Sequence, residues 1–221
     1  MTPARNAFTL IEILVVVSII AVLASLALPA FHKVQIAADC TRDVANFRLM
    51  GSAIASYMAD NDNFYPLAGN GGLYNNYYNN GTMPSVLDPY IGYHPTVYPA
   101  QAPYLTTPLW RKTVGAAQVT TIPCYVINTT GVPGDAPTTK TTPSSASGPW
   151  GYAAQGSPKR SNFVQSPATT WALSDADQKF APLNVAGWLG GTPAKPLYGS
   201  FRNQLFFDWH VERLQITPTT P

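Results

Sequence analysis

The side chains able to do chemistry are few and scattered. The sequence holds three histidines, His32, His94 and His210, and two cysteines, Cys40 and Cys124. No Gly-x-Ser-x-Gly, no His-Glu-x-x-His and no Cys-His grouping occurs, so the spacing supports neither an activated nucleophile nor a metal hydrolase. The protein is not expected to be an enzyme. Two acidic pairs, Asp60-x-Asp62 and Asp175-x-Asp177, could touch a cation such as calcium. Neither has the ligand count of a calcium loop, so surface turns are the favoured reading and no cofactor is expected. If exported, Cys40 and Cys124 could form a disulfide closing a loop of about 84 residues, worth about 3–5 kcal/mol. Two ordinary buried thiols are the other reading, and both stay open.

Glu12 is the residue whose type and place need a reason. From Phe8 to Leu28 the only side chains that are not apolar are Thr9, Glu12, Ser18 and Ser25. As a helix these 21 residues span roughly 31 Å, close to the hydrocarbon thickness of a bilayer. A carboxylate near the end of such a segment costs on the order of 1–3 kcal/mol. Thr9 and Glu12 have the spacing of a capping box, and a negative charge in the first turn suits the helix dipole. That explains local stability but not why the cap lies in apolar sequence. Cleavage between Ala7 and Phe8 supplies a second reason. The new amine at Phe8 would stand one helical turn from Glu12, and in a stack of parallel helices it could bind the carboxylate of a neighbour.

These side chains must be carried by few elements. The start, MTPARNA, has one Arg and no acid, and the apolar run is too long for a cleaved secretory signal, so a signal anchor fits better. Beyond it Phe31, Val34, Ala37, Cys40, Val44, Phe47, Gly51, Ile54 and Met58 recur at steps of three or four. His32, Lys33, Gln35, Asp39, Arg42, Asp43, Asn46 and Arg48 lie between them as a polar side. This predicts one helix of about 50 residues, kinked or loosened at Pro29 and ending near Ala59. Strand-like runs follow at 120–127, where Pro123 favours an edge, at 170–173, and at 204–215 as two strands turning near Asp208-Trp209. YNNYYNN and TTKTTPSSAS read as loops. The fold class expected is α+β: a long amino-terminal helix, membrane-spanning in its first half and amphipathic in its second, packed on a small antiparallel sheet head with long loops. The organisation is a leader at 1–7, a membrane or filament-core helix at 8–28, its amphipathic continuation at 29–59, and a head at 60–221.

The stretch from Ala7 to Glu12, AFTLIE, followed by an apolar run containing Pro29, resembles the processing motif of type IV pilins and of type II secretion pseudopilins. In that family a membrane peptidase cuts before the Phe and methylates its amine. The resemblance implies Ala7 and Phe8 as the processing site and Phe8, Glu12 and Pro29 as assembly residues. The residue before the cut is usually Gly, and here it is Ala7. CTRDVANFRLMGSAIASYMADNDNFYP and NQLFFDWHVERL are similar to segments of pseudopilin-like proteins of planctomycete and verrucomicrobial bacteria. Their H-x9-D-G pattern falls on Tyr198, Asp208 and Trp209, so His and Gly are both replaced and their roles do not carry over.

The resemblance implies a structural subunit of a pilus-like filament or secretion pseudopilus. It would sit in the bacterial inner membrane with its head outside the cytoplasm, then assemble after leader cleavage. Its partners would be copies of itself, a prepilin peptidase and an inner-membrane assembly platform. The alternative is a minor or tip subunit that binds DNA, a glycan or a secreted substrate through its tyrosines and tryptophans. With a net charge of +2 and only Arg111-Lys112 and Lys159-Arg160 as adjacent basic pairs, nucleic acid is not expected. Head packing is the favoured use of the aromatics.

Overall fold

The computed structural model describes residues 10–67, 72–73, 83–93, 102–115, 118–119, 122–128, 148–150, 157–179 and 191–216. Helix α1 runs from Leu10 to Asp60, 51 residues, and its helical assignment continues through Pro29 without interruption. It ends where the sequence runs out of helix formers. Asp62 (φ 50°) and Asn63 (φ 60°) take left-handed backbone, and the Asn63 N–H returns to the Met58 carbonyl at 2.9 Å. Those are the marks of a Schellman-type stop, with Asp and Asn tolerating the conformation that glycine usually supplies.

Contacts divide the chain into two compact units, residues 1–38 and 39–221. The first contains α1 as far as Ala38. The second is an α+β head built on a five-stranded antiparallel sheet in the order β1-β2-β3-β4-β5. Four strands carry it: β2 (Tyr125–Ile127), β3 (Trp171–Asp175), β4 (Phe201–Phe206) and β5 (Val211–Gln215); β1 (Gly72–Leu73) adds two residues beyond β2. The strand-like runs of the sequence therefore fall on real strands. One placement differs: β2 pairs on both sides, with β1 and with β3, and is not an edge. Pro123 lies just outside the paired residues, where its missing N–H costs the ladder nothing.

Two short helices, α2 (Met83–Ile91) and α3 (Pro108–Val114), complete the described head. Thr107 caps α3 by accepting from the Trp110 N–H, Pro108 opens it, and Gly115 (φ 83°) closes it. The core holds Phe47, Met50, Ile54 and Met58 of α1 against Tyr65, Leu87, Leu105, Trp110, Tyr125, Leu173, Leu205 and Phe207. Alternation along β4 decides which side chains reach α1. Asn203 and Leu205 face the helix, while Arg202, Gln204 and Phe206 face the other way. Gly51 lets β4 come close: a Cβ there would stand 3.1 Å from Leu205 Cδ1 and 3.4 Å from Trp209 Cβ.

The β4–β5 turn holds Trp209 at φ 72°, in the left-handed region. This is the position that carries Gly in the H-x9-D-G pattern, and the backbone still takes the shape glycine prefers. Trp209 compensates by packing its half-buried ring on the core. His210 stacks on Phe206 with ring centroids 4.4 Å apart, and its Nδ1 meets Asp208 Oδ1 at 2.5 Å. Trp209→Ala and Trp209→Gly both lose the ring, but only Gly relieves the backbone. The Gly variant is therefore expected to be the more stable by about 1 kcal/mol in thermal unfolding, the reverse of the usual order. Equal stabilities, or Ala above Gly, would show that the turn is unstrained.

Candidate assembly helix and the buried polar centre of the head

The apolar half of α1 keeps its surface. Its most apolar 18-residue stretch reaches a mean hydropathy of 2.8, and none of it is buried. Large side chains from Leu10 to Leu28 are between 47% and 81% exposed. In water such a surface would be strongly unfavourable. The polar groups inside it are satisfied locally, as a membrane requires: the hydroxyls of Ser18 and Ser25 donate to the carbonyls of Val15 and Val22, each at 2.7 Å. Glu12 stands in the first turn of α1, and Pro29 lies within the helix. Ala7, Phe8 and Thr9 fall outside the described residues, as does the proposed leader.

Deeper in the head lies a feature that the sequence reading missed. Asp43 and Asn46 belong to the polar side of α1 by type, yet Asp43 is 1% exposed and Asn46 is buried. Asp43 Oδ1 accepts from the Tyr125 hydroxyl and Oδ2 from Asn203 Nδ2, both at 2.6 Å. Asn46 Nδ2 approaches the Tyr125 oxygen and the Thr106 carbonyl, each at 3.4 Å. The second carboxyl of this centre is Asp175 at the end of β3, whose Oδ2 accepts from the Asn203 backbone N–H at 2.8 Å. Asn203 bridges the two carboxyls, with its side-chain amide on Asp43 and its backbone N–H on Asp175.

Burial raises the affinity of both carboxyls for a proton. For Asp43 the desolvation is opposed by its hydrogen-bond donors. For Asp175 it is reinforced by the charge of Asp43, which holds it well above the usual carboxylate range. The Tyr125 hydroxyl and the Cys124 thiol are pushed up as well, first by burial and then by the same carboxylate.

One expectation is corrected here. Asp175 and Asp177 are not in a surface turn: they are 6% and 1% exposed. Nor do they converge. Asp175 points toward α1, while Asp177 takes a bidentate pair from Arg202 at 2.5 and 2.9 Å on the opposite side of the sheet. Among the described residues no group of three or more His, Cys, Asp or Glu side chains is arranged to hold a metal ion. The cysteines are separate buried thiols. Cys40 Sγ lies 3.8 Å from Asn203 Nδ2 and 3.6 Å from Arg213 Nη2, so its neighbours come from β4 and β5. Asp60, in the other acidic pair, accepts from the Tyr90 hydroxyl at 3.1 Å.

Residues 3–28 match the family profile of the prokaryotic N-terminal methylation motif. That motif is the signature of type IV pilins and pseudopilins, and the matched residues include Ala7, Phe8, Glu12 and the apolar start of α1. No curated protein and no solved structure matches the chain significantly. The chain therefore carries, over residues 3–28, the motif that type IV pilin-like and pseudopilin subunits carry. With the exposed apolar half of α1, the motif makes it a membrane-anchored protein, and it implies processing by a prepilin peptidase and filament assembly in general.

Proposed function

We propose that the protein is a structural subunit of a type IV pilus-like filament or type II secretion pseudopilus. It is held in the inner membrane with its head outside the cytoplasm and is extracted into a helical stack after loss of residues 1–7. The observation that carries this reading is the unburied apolar surface of α1 beginning inside the methylation motif. Lipid covers that surface before assembly, and the same surface of neighbouring copies covers it afterwards. In the stack, Glu12 binds the Phe8 amine of an adjacent subunit and sets the register.

The role is structural and not catalytic, with no cofactor. The aromatic side chains support it. Trp110, Trp150 and Trp171 are buried, and Tyr65, Trp150 and Phe207 form one cluster of rings in the core with centroids 5.2–5.3 Å apart. Such rings hold a head together and leave little face for a sugar or a base. Tyr74, Tyr77, Tyr78 and Tyr98 lie outside the described residues. The test is filament content. The protein should appear in the sheared surface or pseudopilus fraction of cells that have the peptidase and stay in membranes without it. Retention in membranes in both strains would favour an anchored binding head.

A further inference from the structure

Asp43 and Asp175 are two buried carboxyls bridged by one asparagine, and such a pair leaves room for one negative charge. Asp43 accepts at both oxygens, from Tyr125 and from Asn203 Nδ2. Asp175 accepts at Oδ2 from the Asn203 N–H, so that one asparagine draws the two carboxyls together. Two bare carboxylates cannot hydrogen-bond each other, and repulsion between them would be unscreened by water. We infer that Asp43 and Asp175 form a proton-binding site that clamps α1 to β3 and β4, with the single proton on Asp175 donated to the Asp43 carboxylate. The proton joins elements far apart in the chain: Asp43 lies on the helix, Asp175 on one strand, and Asn203 on the next strand bridges both.

The surroundings leave that charge state undisturbed. From α1 the facing titratable groups are Asp39, Cys40 and Asp43; from β2 and the residue before it, Tyr125 and Cys124; from the segment before β4, Tyr198; from β5, Arg213. Asp39 opposes ionisation of Asp43, and Tyr125, Tyr198 and Cys124 are held neutral by burial. Arg213, the cation on this side, directs its guanidinium at Cys40 and over the Phe201 ring.

Stability follows from where the proton sits. In the unfolded chain Asp175 releases it near pH 3.8, whereas in the folded head it holds it well above that. As pH rises from about 4 toward the folded value, the unfolded state has lost the proton and the folded state has not, so unfolding is favoured. This pair's contribution favours the folded head in acid and falls away toward alkali.

The experiment is thermal unfolding of the full chain in detergent micelles, followed by near-UV circular dichroism from pH 5 to pH 9. Three proteins are compared: the natural chain, Asp175→Asn and Asp43→Asn. An asparagine at 175 reproduces the protonated acid, with an oxygen for the Asn203 N–H and an amide donor for Asp43. Its midpoint should exceed that of the natural chain by about 5 °C or more at pH 9, with the gap closing toward pH 5. Asp43→Asn should lower the midpoint at every pH, because the amide offers one acceptor where two donors converge. Parallel curves for the natural chain and Asp175→Asn would overturn the shared proton. Failure of Asp175→Asn to fold, or tolerance of Asp43→Asn in its place, would overturn its assignment to Asp175. The infrared carbonyl band of a protonated carboxyl in the natural chain at pH 7 gives a check that needs no variant. Its absence would also overturn the inference.

Discussion

Glu12→Ala is expected to leave the protein in the membrane and to cut its recovery in filaments at least tenfold. Insertion should be unchanged or slightly improved, because a carboxylate is removed from the end of an apolar helix. Assembly should suffer because the Phe8 amine of a neighbouring subunit would be left buried without its counter-charge. Removing one member of a buried pair costs about 3–5 kcal/mol, and about 1.4 kcal/mol already corresponds to a factor of ten. The competing explanation, a capping box with Thr9, is worth only about 1 kcal/mol at the helix start and predicts no assembly defect. The ratio of protein in sheared filaments to protein in membranes separates them. Normal incorporation of Glu12→Ala would remove the register role and leave the cap.

Phe47→Ala should destabilise the head by about 3–5 kcal/mol. Phe47 is fully buried, and its ring centroid lies 4.7 Å from that of Tyr125. Truncation opens a cavity directly beside the tyrosine that donates to Asp43. Relaxation into that cavity would disturb the polar centre as well as the packing. Phe31 is the matched control: the same residue type in the same helical stripe, but 64% exposed. Phe31→Ala should change the unfolding free energy of the micelle-bound chain by no more than about 0.5 kcal/mol. Near-equal losses for the two variants would mean that burial in the head does not govern its stability.

That contrast marks what the sequence made legible. Spacing alone defined one helix to within a residue of its end, and it picked out Cys40, Phe47 and Ile54 as part of the buried stripe. It also placed Phe31 and Val34 on that stripe, though both are 64% exposed in the structure. Periodicity identifies a face but not how far along the helix a partner covers it. The hairpin was visible over 204–215 because apolar alternation and turn residues are local signals, although β4 begins three residues earlier, at Phe201.

The polar centre was not visible because its partners come from distant sequence. Tyr125 is 82 residues from Asp43 and Asn203 is 160. One local signal did exist. Asp43 is three residues after Cys40 and four before Phe47, so a helix burying both must also bury the carboxylate between them. Position on the helix, rather than residue type, decides burial at Asp43. Asp175 and Asp177 were misplaced for the related reason that an Asp-x-Asp near a strand end looks like a turn. It takes Arg202 and Asn203, pointing to opposite faces of β4, to draw the two carboxylates apart.

The most direct test of the pilin-class pathway is the mass of the amino-terminal peptide of the protein recovered from its native membranes. The expected result is a mature chain that begins at a methylated Phe8. An intact start at Met1 or Thr2 would contradict processing at Ala7–Phe8 and leave a plain membrane-anchored head, for which binding becomes the better function.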